Sequence, residues 1–324
     1  MWRYCGPFLF LAAIPALYYL AGPAAPLASI AVLLLVLCGA EFVAKRTDAP
    51  EVTGRGFRLL VLLYIPLQLI ATGWALAVVG ETNGLGFAAL ALSLGVTTGV
   101  FGVLAAHEAI HSGKPGEALL GAALLTGMCY RHFRIAHLQG HHRRAATRED
   151  AATARLGESF YAFFIRTLAG QFAEAWRFER RRGGHRMAWD IVVTAALFAT
   201  IALMLGLRAL LFFLCESLVA IVVLELFNYI AHYGLERRRD AHGRLERLAE
   251  RHSWNSSNVL ANALIFNMGR HTFHHSRPAD AYQTLQMCQA PELPLGYAGS
   301  ILVALVPSLW RRMMDGHVRQ WRNI

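Results

Sequence analysis

Six stretches of this chain are long and apolar enough to leave it few places to fold. They lie at about residues 7–23, 27–44, 58–80, 85–106, 188–206 and 208–230. Crossing about 30 Å of hydrocarbon takes about 20 apolar residues in a helix, and a backbone inside lipid must satisfy its own hydrogen bonds. The spacing therefore predicts an all-α membrane protein with six transmembrane helices. Composition agrees: 56% of the 324 residues are hydrophobic, 16% are charged, and the mean hydropathy is +0.39, above that of ordinary soluble domains. The first stretch lacks a small-residue cleavage site and reads as a retained span, not a signal peptide. Leu119–Met128 is too short to span, and Leu295–Trp310 is short and carries Pro307. Both are expected in the interface or against the bundle. No repeat, low-complexity linker or second domain is visible, so residues 1–324 read as one integral-membrane domain.

The net charge of +10 at pH 7 is distributed unevenly. Lys45, Arg46, Arg55 and Arg58 sit between the second and third stretches, the run Arg180-Arg181-Arg182 lies in segment 107–187, and the tail after residue 230 is Arg-rich. The turns near 23–26, 81–84 and 206–207 carry almost no positive charge. Basic loops stay on the cytoplasmic side. Six spans then place both termini and segments 107–187 and 231–324 in the cytoplasm, as a helical cap on what is expected to be a bacterial inner membrane. The basic charge belongs beside lipid headgroups rather than on nucleic acid. Five cysteines occur without a CxxC pair, which argues against a disulfide framework, an iron–sulfur cluster or a rubredoxin-like site within the chain.

Nine of the 14 histidines fall in four clusters at or just beyond the apolar stretches: His107 and His111; His137, His141 and His142; His232; and His271, His274 and His275. Imidazole is the usual protein ligand for first-row transition metals, and nine exceed what one ion can hold. The pattern points to a two-metal site. Spans four and six both end on the cytoplasmic side, at His107 and His232, so all nine can meet at one depth. His107 and His111 are four apart and share a helix face. His137 and His141 repeat that spacing, with His142 turned about 100° toward a second metal. His271, His274 and His275 are expected on one face. Four helical segments converging on a metal pair is a bundle-type arrangement. His132, His185, His242, His252 and His317 lack chelating spacing and read as structural. HEAIH also fits a zinc protease with Glu108 as base, but that leaves six or more clustered histidines without a use. A metal transporter would line a path across the membrane instead. Spacing does not name the metal, since imidazole suits iron, copper and zinc. An iron pair at the bilayer edge suits O2 activation on a lipid-soluble substrate.

The segments HEAIHS, HLQGHHRRAATREDAATARLGES, NYIAHYGL and GRHTFHHSRPADAYQTL strongly resemble the integral-membrane alkane 1-monooxygenases, a branch of the membrane fatty-acid desaturase and hydroxylase superfamily; xylene monooxygenase is similar. The match covers roughly residues 100–290, and its run after His142, through Thr147, Glu149, Asp150, Ala154, Arg155, Gly157 and Glu158, is more diagnostic than any histidine box alone. The resemblance implies a non-haem diiron centre of two Fe ions held by the nine histidines, with O2 as co-substrate. It also implies hydroxylation of an apolar alkyl or alkylaromatic substrate drawn from the bilayer. Electrons would come from a separate soluble donor, a rubredoxin or a ferredoxin-type reductase. Desaturation or oxidative decarboxylation is the alternative outcome on such a scaffold. Where the alkane enzymes read EHxxGHH, NYxEHYG and RHSDHH, this chain has Ala136, Ala231 and Phe273. Glu108, Glu149, Asp150, Glu225 and Asn228 remain as candidates to support the metal-bound imidazoles. Glu225 and Asn228 stand out as polar groups at the end of an apolar span.

Overall fold

A computed structural model describes residues 1–43 and 54–322. The basic positions Lys45 and Arg46 lie outside the described residues. The apolar stretches form helices α1 (Gly6–Ala21), α2 (Leu27–Val43), α3 (Arg55–Val78) and α4 (Gly84–Thr97). α4 runs through a π-helical turn, Thr98–Gly102, into α5 (Val103–His111), and α6 (Pro115–Gly127) folds back on it. After an irregular stretch come α7 (Phe160–Arg181) and the long α8 (Arg186–His232). Short helices α9 (Val259–Leu264), α10 (His271–Ser276), α11 (Gly296–Ala304) and α12 (Pro307–Arg322) complete the chain. Among the described residues there is no β-strand, and the fold is nearly all helical.

Among the described residues, three helical runs are long and apolar enough to cross a membrane: Arg55–Glu81, Gly84–His111 and Arg186–His232. The last, of 47 residues, is two arms joined at Gly206, whose φ of 86° and ψ of 170° leave the helical region. That backbone conformation is essentially reserved for glycine. The break falls between the expected spans 188–206 and 208–230. Helices α1 and α2 are apolar but shorter, at 16 and 17 residues.

The site depends on how closely α4 and α8 cross. Gly95 and Gly99 face α8, and a Cβ at either would stand 2.8 Å from a backbone oxygen, that of Glu216 or of Ala220. Small residues four apart allow such backbone approach where lipid offers no hydrophobic drive. Polar side chains then lock the crossing. Tyr64 donates to Gln68 (3.1 Å), Gln68 to Thr98 (2.8 Å), and Thr98 to Glu216 (2.7 Å), all buried. Helix α12 is amphipathic: it buries Trp310, Met314 and Val318 at four-residue spacing, the pattern of a helix lying on an apolar surface. Leu119–Met128 falls largely within α6, and Leu295–Trp310 divides between α11 and α12, with Pro307 at the first position of α12.

Candidate metal centre

α5 ends on His111 and α8 ends on His232, so both helices deliver imidazoles from their last turns. His137 and His141 lie in a π-helical turn, Ala136–His141, followed at once by His142, and α10 carries His271, His274 and His275. All nine converge in two adjoining groups. One holds His107, His111, His137, His142 and His274; the other holds His141, His232, His271 and His275. Within each group the candidate ligand nitrogens lie within 4.8 Å of one another. Among the described residues neither group includes a carboxylate or thiol. The rings of His142 and His275 meet across the seam with centroids 4.8 Å apart.

The partition differs from the one expected of plain α-helical spacing. His137 and His141 part company, and His137 joins His142 instead. The cause is the π-turn: its i→i+5 bonding brings residues five apart onto one side. On α10, His271 and His275 share a group while His274 turns to the other. Positions three and four along differ by about 100°, so a helix lying between the two groups supplies both.

The donor set fits metal ions. Nε2–Nε2 separations are 3.0 Å for His111–His137, His137–His142, His232–His271 and His271–His275. One imidazole nitrogen carries either a proton or a lone pair, so His137 Nε2 cannot bond well to both of its neighbours. With metal–nitrogen bonds of about 2.1 Å, ligands at right angles would stand about 3.0 Å apart. His141 Nε2 is buried without a hydrogen-bond partner, as expected of a nitrogen reserved for a metal. Burial, reinforced by the neighbouring imidazoles, pushes His137, His142, His271, His274 and His275 well below the usual histidine range. They are therefore neutral at pH 7, the form that ligates.

Around the imidazoles, Asp150 lies against His141. His141 Nδ1 donates to Asp150 Oδ2 at 2.8 Å, and Thr153 donates to the same oxygen at 2.7 Å. Burial alone would raise this carboxyl, but its contact with His141, with the Thr153 bond, holds it below its ordinary value. Such a carboxylate fixes the imidazole tautomer and strengthens it as a ligand. Glu149 lies apart from the imidazoles. Its side chain is exposed and pairs with Arg239 at 3.1 Å, because one step along the loop from Asp150 points it outward. Glu225 and Asn228 are buried and bond to each other at 3.2 Å, and Glu225 also accepts from Tyr130, Gln171 and Thr167 rather than from a clustered histidine. Glu108 accepts from the Tyr282 amide at 3.2 Å and ties α5 to the loop beyond α10. Where the alkane enzymes carry acids, Ala136 and Ala231 are buried and Phe273 is half-buried beneath Arg277.

Three neighbours gave no sequence signal. The His252 carbonyl lies 3.3 Å from His232 Nδ1, a contact no side-chain pattern could show. Phe133 stacks on His137 at 4.8 Å, and Phe227 meets His271 edge-on at 5.7 Å. Phe227 also walls a small apolar cavity between α2, the π-helical turn after α4, α5, α8, α9 and α11. Val103 and Leu104 line it about one turn before His107, and Tyr297 stacks on Phe227 at 4.3 Å.

Comparison with known proteins agrees with this geometry. The fatty acid desaturase family profile matches residues 83–300. Alkane 1-monooxygenase 2 of Pseudomonas aeruginosa is 37% identical over 292 residues, covering 86% of this chain and 78% of that protein. Alkane 1-monooxygenase 1 of the same organism is 36% identical over 292 residues, 86% and 76% of the two chains. The hydroxylase component of xylene/toluene monooxygenase from Pseudomonas putida is 27% identical over 283 residues, 80% and 73%. With histidine clusters able to hold metal at the ends of apolar helices, and matched over most of its length by these oxidoreductases, the chain belongs to the fatty acid desaturase family, within its alkane 1-monooxygenase branch.

Proposed function

We propose that this protein is a non-haem diiron monooxygenase that hydroxylates the terminal or benzylic carbon of an apolar alkyl substrate with O2. The observation that carries the reading is the all-histidine pair of groups beside an apolar cavity. The first group would hold one iron through five imidazoles and the second the other through four, with Asp150 orienting His141. Bound there, an iron pair supplies O2 activation and insertion of one oxygen atom into a C–H bond. The chain supplies position and dryness. The apolar lining is as congenial to an alkyl chain as lipid is, so entry from the bilayer costs little, and the Phe227–Tyr297 stack fixes the wall nearest His271.

In this reading one integral-membrane domain, residues 1–324, crosses a bacterial inner membrane six times. Both termini and the metal pair face the cytoplasm, under a cap formed by segments 107–187 and 231–324. The electron donor, a rubredoxin or ferredoxin-type reductase, docks where Arg143, Arg177 and Arg181 line a surface groove with Gln139 and Phe178. These positions flank the segment carrying His141 and His142, and basic charge steers an acidic partner.

The test is iron-loaded protein with reductant, donor, isotopically labelled O2 and a panel of n-alkanes and alkylbenzenes. An alcohol carrying one labelled oxygen supports the reading. A product lighter by two hydrogens assigns desaturation instead, and no oxidised product overturns both.

A further inference from the structure

An unbroken line of rings leads from a candidate ligand to the protein surface, and it passes a buried tyrosine whose hydroxyl already meets a base. His137 stacks on Phe133 (4.8 Å, 22°), and Phe133 on Tyr130 (6.2 Å, 26°). Tyr130 meets His132 at 4.4 Å, His132 meets Phe172 at 5.4 Å, and Phe172 stacks on Trp176 at 6.3 Å. Phe133 and Tyr130 are 2% exposed, whereas Phe172 is 41% exposed. The Tyr130 hydroxyl donates to Glu225 Oε1 at 2.7 Å. Glu225, fully buried, also accepts from Gln171 at 2.9 Å and from Thr167 and Asn228 at 3.2 Å. Gln171 and Asn228 present amide N–H groups that only donate, and the Tyr130 and Thr167 hydroxyls can donate as well, so the set suits a carboxylate acceptor. Joining helices would need one such bond. It would not need the phenol to sit in line with a ring stack ending on His137.

We infer that Tyr130 is a redox-active residue, with Glu225 as its proton acceptor, that drains an oxidising equivalent from the His137 group when O2 is reduced and no substrate is oxidised. This rests on the monooxygenase reading. One electron would leave the Tyr130 ring across Phe133 and His137 for the oxidised iron that the His137 group would hold. The Tyr130 O–H bond breaks and its proton passes to Glu225 Oε1, giving a neutral tyrosyl radical and a protonated carboxyl. One electron from the soluble donor, entering by Trp176, Phe172 and His132, and the proton returned from Glu225 restore the phenol.

The experiment mixes reduced, iron-loaded protein with O2 in the absence of substrate and records electron paramagnetic resonance on frozen samples. Peptide mass spectrometry of the ligand histidines runs in parallel. An organic radical with tyrosine hyperfine structure is expected, and it narrows when tyrosine is ring-deuterated. Tyr130→Phe abolishes it and raises histidine oxidation per O2 consumed, while keeping the ring stack. Glu225→Gln lowers its yield. Phe172→Leu, at the surface end, lengthens its lifetime because the refilling route is cut. A radical that persists in Tyr130→Phe overturns the inference, as does its absence from wild-type protein that hydroxylates substrate. Wild-type protein that binds no iron and oxidises nothing overturns the monooxygenase reading, and this inference with it.

Discussion

Replacing Asp150 by Asn keeps the shape of the residue behind His141 and removes its charge. In the structure Asp150 is 2% exposed and takes the His141 Nδ1 proton at 2.8 Å. A hydrogen bond to a charged group contributes about 1.5–3 kcal/mol, against about 1 for a neutral one. Asn can still accept that hydrogen bond, so Asp150→Asn loses about 0.5–2 kcal/mol of support for the imidazole. At about 1.4 kcal/mol per tenfold, that is roughly a 2- to 30-fold weaker metal site, overlapping the roughly 10- to 100-fold range of such outer partners. The loss should fall on one ion. His141 belongs with His232, His271 and His275, and the other five histidines do not touch Asp150 in this way. Purified variants are challenged with a graded iron chelator while iron per chain is followed. Wild-type protein should release both ions at high chelator, and Asp150→Asn should pass through a plateau at one. Thr153→Val, which removes the 2.7 Å bond to Asp150, should do so more weakly, and Glu149→Gln should match wild type. Loss of both ions together, or an unchanged release curve for Asp150→Asn, refutes the link between this carboxylate and one of two separate sites.

Gly99→Val should destabilise the α4–α8 crossing by about 1–3 kcal/mol through overpacking, because its Cβ would press on the Ala220 carbonyl. A lower unfolding midpoint in detergent, with reduced iron content, is the expected result. Acid should strip the site. His137, His271, His274 and His275 have depressed pKa values when folded, while the unfolded chain takes up protons near the ordinary value of about 6.5. Stability and metal retention are therefore fully present above about pH 6.5 and decline as pH falls below it, which thermal melts and iron analysis at pH 7.5 and 5.5 check. Reversing charge at Arg143, Arg177 and Arg181 together should slow donor-coupled turnover and flatten its dependence on ionic strength. Turnover driven by a small chemical reductant should be unchanged.

Much of this architecture was legible from the chain. Apolar runs of about 20 residues dictate helices because lipid leaves the backbone no other partner, and the described runs are helical. The nine histidines announced themselves by clustering at the ends of those runs. How they divide was not legible. His137 pairs with His142 because a π-turn interrupts the helix, and that choice is made by packing against α7, not by local spacing. Likewise α10 lies between two groups, so neighbouring His274 and His275 serve different ones. Asp150 and Glu149 are adjacent acids in one motif, yet one is buried against His141 and the other pairs with Arg239 at the surface. Only the loop path separates them. Phe133, Phe227 and the His252 carbonyl belong to the site through tertiary contact alone, and no motif marks such residues.

Metal content of the purified chain, measured with the oxidation state and coupling of the ions by Mössbauer spectroscopy, tests the two-site arrangement most directly. The predicted result is two irons per chain in nitrogen-rich, non-haem coordination, reduced to about one by alanine at His232 and His271. A single zinc per chain without iron would contradict it, as would two irons that survive loss of those histidines.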